Sequence, residues 1–459
     1  HRNTIPFTVL KYSKYRNSIS SDISSVIEAD NAQNLWIGTE GQGLNYYNVK
    51  TGTFKKYVND PRDPGSLSNN TIKAIFNDSK GRIWVGLYQG GLELFIPSTG
   101  KFKHYPPSPK GLTQGYVSSI AEDDRGRLLL GTSSKGLNIF DPEKETFEVV
   151  SDNPNQVLRL SSSYIRFAYQ DTKKNLWVGT PRGLNLLARG ATGFNVFFQN
   201  DQHPDSLKSN QITCILEDHQ GTIWIGTMRG GLSCYQSPQK SFITYTRKNG
   251  LASNNIIDLL EDNDGNLWMS TDRGLSKFDR KRKSFKNYNT GDGLPTNEFN
   301  VNSAYKDRQG NLYFGSYNGL VVFTPREIRE NAYKPQTVFS ELKLFNKPVT
   351  IDGPDGLLTQ DISFTKSITF RADQNIFSIG FLALNYIQPQ RNQYAYKLEG
   401  FEKDWNYVDI PAATYTNLPS GKYKLLVKGS NNDGFWNNRP SVMEIRILPP
   451  WWLTWWAYV

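Results

Sequence analysis

The stretch NLWIGTEGQGL (34–44) decides the reading of the fold, because the chain returns to it six more times. It recurs as RIWVGLYQGGL (82–92), RLLLGTSSKGL (127–137), NLWVGTPRGL (175–184), TIWIGTMRGGL (222–232), NLWMSTDRGL (266–275) and NLYFGSYNGL (311–320). One large apolar position runs through all seven as Trp36, Trp84, Leu129, Trp177, Trp224, Trp268 and Tyr313, at intervals of 44–48 residues. Each unit reads as four short strands. In the second these are TIKAIFND (71–78), RIWVGL (82–87), GGLELFIP (90–97) and KFKHY (101–105). Dipeptides such as Lys80-Gly81, Asp264-Gly265 and Gln309-Gly310 fall between the first two strands, where a tight hairpin needs positive φ. Four strands per repeat of this length predict the blade of a β-propeller, and a helical solenoid is excluded because the helical period is missing.

Seven copies predict seven blades over residues 6–324, and the ends support the count. Fourth strands follow six of the copies, around 54–57, 102–105, 147–150, 194–198, 242–245 and 285–288, but none follows Tyr313. The surplus strand stands at the start, as FTVLKY (7–12). It is expected to complete the last blade, because closing the ring satisfies an otherwise free sheet edge. The tryptophans read as packing between blades rather than as ligand platforms, since large rings fill the wedge between twisted sheets.

Of 459 residues, 53 are Lys or Arg and 43 are Asp or Glu, a net charge of +10. Such a surplus attracts anionic partners without selecting one. No recognition-helix pattern or concentrated basic stripe appears, which argues against nucleic acid. Cys214 and Cys234 are too few for a disulfide framework and read as buried thiols. His1, His104, His203 and His219 are scattered, so neither a metal site nor a cofactor is expected. There is no phosphate-binding loop, nucleophile elbow or kinase motif, hence no catalytic residue in this stretch. The sequence DNDGN (262–266) resembles the start of a calcium loop but occupies the ordinary turn position of the repeat and reads as a turn. A polysaccharide lyase or glycoside hydrolase built on Asp60, Asp63 and Asp205 is the weaker alternative, because spacing alone does not pair them across a bond. A secreted or surface propeller acting as a protein-interaction scaffold is the other.

After Phe323 the period breaks. Residues 325–336 are polar and proline-bounded and read as a linker with one helical turn. From 337 to 448, seven or eight strand patterns without propeller spacing predict an immunoglobulin-like β-sandwich. The tail PPWWLTWWAYV (449–459) suits a membrane interface and reads as the start of a transmembrane segment.

Loops between the second and third strands share one face of a propeller with the loops that join the blades. They carry Tyr88-Gln89, Lys135, Arg182, Arg229, Arg273 and Tyr317-Asn318, with the four cations expected at one register position around the ring. Aromatic surfaces beside convergent donors predict a sugar site, and the cations allow an acidic sugar.

The repeat NLWIGTxxGGL, preceded by SNNTIKAIFND (68–78), resembles the propeller repeat of the large periplasmic sensors of hybrid two-component systems in gut Bacteroidetes. The stretch 394–437 resembles the triple-tyrosine domain that follows the propellers in that family, with Tyr394, Tyr396, Trp405, Tyr415, Tyr423 and Trp436 on its pattern. The resemblance implies the periplasmic, ligand-sensing portion of an inner-membrane hybrid histidine kinase and response regulator. It further implies an oligosaccharide ligand, control of polysaccharide-utilisation genes, homodimers, and anchoring through a membrane segment after Val459. The family usually carries two propellers, so a preceding propeller is an implied partner of this one.

Overall fold

The computed structural model of the chain describes residues 7–450 and Trp452. They fall into two compact units divided between Ile328 and Arg329.

The first unit consists of seven four-stranded antiparallel sheets. Six are built from consecutive strands, as in Ser24–Ala29, Leu35–Thr39, Leu44–Asn48 and Thr53–Tyr57. In the seventh, Phe299–Lys306, Leu312–Ser316 and Gly319–Phe323 are joined by Thr8–Leu10, with Val9 opposite Val321. The Phe7 ring meets Phe323 edge-on at 5.1 Å and so fixes this fourth strand. The innermost strand of every blade touches that of the next, and the seventh touches the first, closing the ring.

The second strands are almost wholly buried because neighbouring blades cover both faces. Leu35–Thr39, Ile83–Leu87 and Ile223–Thr227 are buried at every residue. A glycine sits mid-strand where blades approach most closely. A Cβ on Gly86 would lie 2.9 Å from the Val117 carbonyl of the following blade. Each tryptophan ring lies against an aromatic on the third strand of that following blade: Trp36 on Phe95, Trp84 on Phe140, Trp177 on Tyr235, Trp224 on Phe278 and Trp268 on Phe323, at 4.7–6.0 Å. Leu129 and Tyr313 are buried in the same positions.

An aspartate six residues before each of these positions organises the turn beneath it. Asp30, Asp78, Asp123, Asp171, Asp218, Asp262 and Asp307 each accept the backbone N–H four residues on, at 2.8–2.9 Å. The other carboxylate oxygen accepts the indole N–H of Trp84, Trp177, Trp224 or Trp268. Asp262 is thus filled by protein donors, and DNDGN is a turn. Leu67 and Leu207, in the long loops between blades, are fully buried.

The second unit is a sandwich of a four-stranded and a five-stranded sheet. Thr337–Leu344, Ile376–Ala383 and Ala412–Thr416 form most of the first. Ser441–Ile447, Gly421–Gly429 and Tyr394–Glu399 form the middle of the second, where Ser367–Phe370 adds a parallel edge. Strands alternate buried and exposed residues, as in Ser441–Ile447, and the inward side chains make one core of Phe370, Phe377, Phe381, Leu425, Met443 and their neighbours.

The stretch 325–336 differs from a free linker. Pro325–Glu327 is a single 3-10 turn in the first unit. Asn331 is buried in the second, where its backbone N–H bonds to Asp433 and its side chain to Asn432. A buried polar backbone must find partners, and the asparagine-rich loop NND (431–433) supplies them. No helix of the described residues is long and apolar enough to cross a membrane. Most of 449–459, the expected start of a span, lies outside the described residues.

Candidate functional site

Three tyrosines converge at one cleft, Tyr88 from the hairpin tip of blade two and Tyr116 and Tyr164 from the segments that enter blades three and four. Tyr88 follows the buried strand Ile83–Leu87, and its N–H bonds to the Thr71 carbonyl at 3.0 Å. Tyr116 and Tyr164 directly precede Val117 and Ile165, both fully buried at the start of their blades' inner segments. Both tyrosines are partly exposed where those buried segments begin. Tyr88 and Tyr116 meet edge to face at 5.5 Å. With Tyr164, Gln89, Gln114 and Ser133 they line a cleft of about 470 Å³.

The cleft has charged neighbours. The Lys73 ammonium lies 5.9 Å from the Tyr88 ring centre and is paired with Glu40 at 2.6 Å. The Arg166 guanidinium lies 5.4 Å from the Tyr164 ring centre. Burial, helped by Tyr164 and Glu40, pushes the Tyr116 phenol up to about 12, so it is a neutral hydrogen-bonding group at physiological pH. Half-exposed rings with amide and hydroxyl groups between them can stack on and hydrogen-bond a polar ring, and among the described residues no nucleophile–base pair lines this cleft.

A larger cavity of about 710 Å³ lies among the turns between first and second strands in blades five and six. Its most buried charges are already paired. His219 pairs with Glu261 at 2.6 Å, and Arg280 with Asp218 at 2.8 Å and Glu261 at 3.0 Å. Among the described residues no aromatic side chain lines it.

Of the residues singled out from sequence, Tyr88 and Gln89 line the cleft. The four cations do not share one register, because the hairpins differ in length. Arg182 and Arg273 stand second in two-residue turns, between Thr180 and Gly183 and between Thr271 and Gly274. Arg229 is the middle residue of a three-residue turn, at φ 67°, and Lys135 is the last of another. All four are exposed on their own blades. Tyr317 is half-exposed on blade seven, and Asn318 is held by Lys11 and the Pro295 carbonyl, both at 2.9 Å. Asp60 and Asp63 cap their own loop, accepting the N–H groups of Arg62 and Gly65. Tyr116, Tyr164, Lys73 and Arg166 were not singled out. Their signal was the residue on either side of the first buried aliphatic of each inner strand.

In the sandwich, Tyr394, Tyr415 and Tyr423 are buried in the core and Tyr396 packs against it. Trp405 and Trp436 lie outside that core, flanking Lys428 at 4.1 and 5.5 Å.

Comparison with known proteins agrees with both halves. The two component regulator propeller family matches residues 66–89, 206–229, 250–273 and 293–318, and the Y_Y_Y domain family matches 385–448. Histidine kinase P4 of Formosa agariphila is 38% identical over 187 residues, 41% of this chain, and the chain spans 14% of that protein's length. Among solved structures, PorZ, a surface component of the type-IX secretion system of Porphyromonas gingivalis, shares the fold with a TM-score of 0.53 at 14% identity, over 95% of this chain and 61% of that one. An extracellular domain ascribed to a hybrid two-component system of B. thetaiotaomicron matches 96% of this chain and 94% of its own at 20% identity, with a TM-score of 0.36. The class is therefore an all-β protein in which two-component regulator propeller repeats precede an immunoglobulin-like Y_Y_Y domain.

Proposed function

We propose that this chain is an extracytoplasmic sensor, the non-catalytic, ligand-binding part of a membrane-anchored hybrid histidine kinase, and that its ligand is an oligosaccharide held in the tyrosine cleft. The observation that carries the reading is the convergence of Tyr88, Tyr116 and Tyr164 with Gln89, Gln114 and Ser133 around one open cleft. Sugars present apolar C–H faces and a rim of hydroxyls, which rings and amide groups between them complement. The remaining parts of the reading are a periplasmic position, pairing of two copies, a preceding propeller in the same chain and a relay through the sandwich to a membrane helix. Ligand would then bias the arrangement of the two copies and so control genes for polysaccharide use.

The test is the thermal unfolding midpoint of the whole chain with oligosaccharide pools from digested polysaccharides. A stabilising pool is expected, with its effect lost in Tyr116→Ala and Tyr88→Ala and kept in Arg229→Ala, which lies on another blade. Stabilisation that survives both tyrosine substitutions would overturn the assignment of the cleft.

A further inference from the structure

Three of the inner strands share a device that blade four lacks. Just before the residue facing the mid-strand glycine, blades one, three and five carry Ser25, Ser118 and Thr213 at a register irregularity. Each hydroxyl clasps the next blade by donating to a backbone carbonyl: Ser25 to Ile72 at 2.7 Å, Ser118 to Ile165 at 2.8 Å and Thr213 to Ile256 at 2.8 Å. In blade four the corresponding residue is Arg166, one before Phe167, which faces Gly179. A short clasp is replaced by a long cation lying against Tyr164.

Two cations occupy this position in the ring, and among the described residues only one is neutralised. Lys73, in blade two, donates to both carboxylate oxygens of Glu40, at 2.6 and 2.8 Å. Arg166 is half-buried, and its Nε is fully buried with no hydrogen-bond partner among the described residues. A buried donor on a cation is costly to leave unpaired, and such groups need an explanation in a native structure. The guanidinium is a rigid planar fork whose geometry matches a carboxylate or a sulfate better than a hydroxyl. Its field also reaches Tyr116, on the other wall of the cleft, where it opposes the upward push of burial.

We infer that Arg166 is a specificity-determining residue of the tyrosine cleft, and that the saccharide bound there carries an anionic substituent, a carboxylate or a sulfate ester. This rests on the saccharide reading above and adds the charge of the ligand to it.

The experiment is a glycan array of neutral, uronate-containing and sulfated oligosaccharides, probed with the whole chain and with Arg166→Met, Arg166→Lys and Tyr116→Ala. Binding is expected to acidic members, weakened about ten- to hundredfold in Arg166→Met, partly kept in Arg166→Lys, and reduced by added salt. The uronate and sulfate arms distinguish the two anions. Binding to neutral members that is lost in Tyr116→Ala and indifferent to Arg166→Met overturns the inference and leaves the saccharide reading standing. An array with no Tyr116-dependent binding overturns both. Should Arg166→Met lower the unfolding midpoint, the salt dependence of the unaltered chain decides, and salt-independent binding to acidic members overturns the inference.

Discussion

Replacing Asp218 with alanine removes a single carboxylate on which four donors converge. Its side chain is fully buried. Oδ2 accepts the Trp224 indole N–H and the Arg280 guanidinium, each at 2.8 Å, and Oδ1 accepts the backbone N–H groups of Gln220 and Thr222, each at 2.9 Å. Burial acts to raise the carboxyl's pKa, but the indole, the two backbone donors and Arg280 outweigh it and hold the group below the ordinary carboxylate range. Breaking a buried ion pair by deleting one partner costs about 3–5 kcal/mol. Arg280 keeps Glu261 at 3.0 Å, so the lower end of that range, about 3 kcal/mol, is expected. Trp224→Phe removes the indole donor while keeping most of the ring, and about 1–2 kcal/mol is expected from the lost bond and the smaller ring. Equilibrium urea unfolding of the whole chain, followed by near-ultraviolet circular dichroism, reads both. A folded pKa below the unfolded one contributes stability above about pH 4, lost as the pH falls through the folded value. The difference between the unaltered chain and Asp218→Ala should therefore narrow in acid. A loss under about 1 kcal/mol at neutral pH, or a difference that holds its size in acid, would refute the view that this aspartate ties blade five to blade six.

Four further outcomes follow from the packing. Phe7→Ala should loosen the strand that closes the ring, costing about 1–3 kcal/mol for a half-buried aromatic, and removal of residues 1–12 should expose the edge of Gly319–Phe323 and produce self-association visible by sedimentation. Burial pushes the carboxyls of Glu28 and Asp258 up to about 7. Folded values above the unfolded one mean stability that is full below about pH 4 and is lost as the pH rises through 7. Asp258→Asn should flatten that decline and add about 1–2 kcal/mol at pH 8, measured by urea unfolding. Cys214 and Cys234 are free, buried and shifted upward by burial, so a thiol reagent should find two groups in denaturant and none in the native chain.

The architecture was legible because each blade meets the same packing requirement and answers it with the same words. Trp36 and Trp268 lie far apart in the chain, yet both sit on a second strand covered from two sides, so the pattern LWIG or LWMS repeats. The missing fourth strand beside Tyr313 and the surplus strand at Thr8–Leu10 could be matched for the same reason. The cleft was only half legible. Tyr88 and Gln89 stand in hairpins marked by the glycines that follow them, whereas Tyr116 and Tyr164 stand before ordinary aliphatic residues in loops of irregular length. The four cations were placed at one position because hairpins of two and three residues look alike when aligned on the glycine. The aspartates of the turns were overlooked because acidic residues in turns are common, and only the position of the indole nitrogen six residues on reveals what they hold.

From its sequence alone this chain determined its strands, its repeats, the residues between blades and the sandwich core, all of which depend on burial patterns carried by neighbours along the chain. Tertiary packing decided the rest: the curvature of the ring brings tyrosines from three blades to one opening and neutralises Lys73 but, among the described residues, not Arg166, and the folding of the sandwich lets its asparagine-rich loop capture the segment after Ile328. Those relations join residues tens to about a hundred positions apart, where distance in space is set by how sheets pack and not by any local preference of the chain.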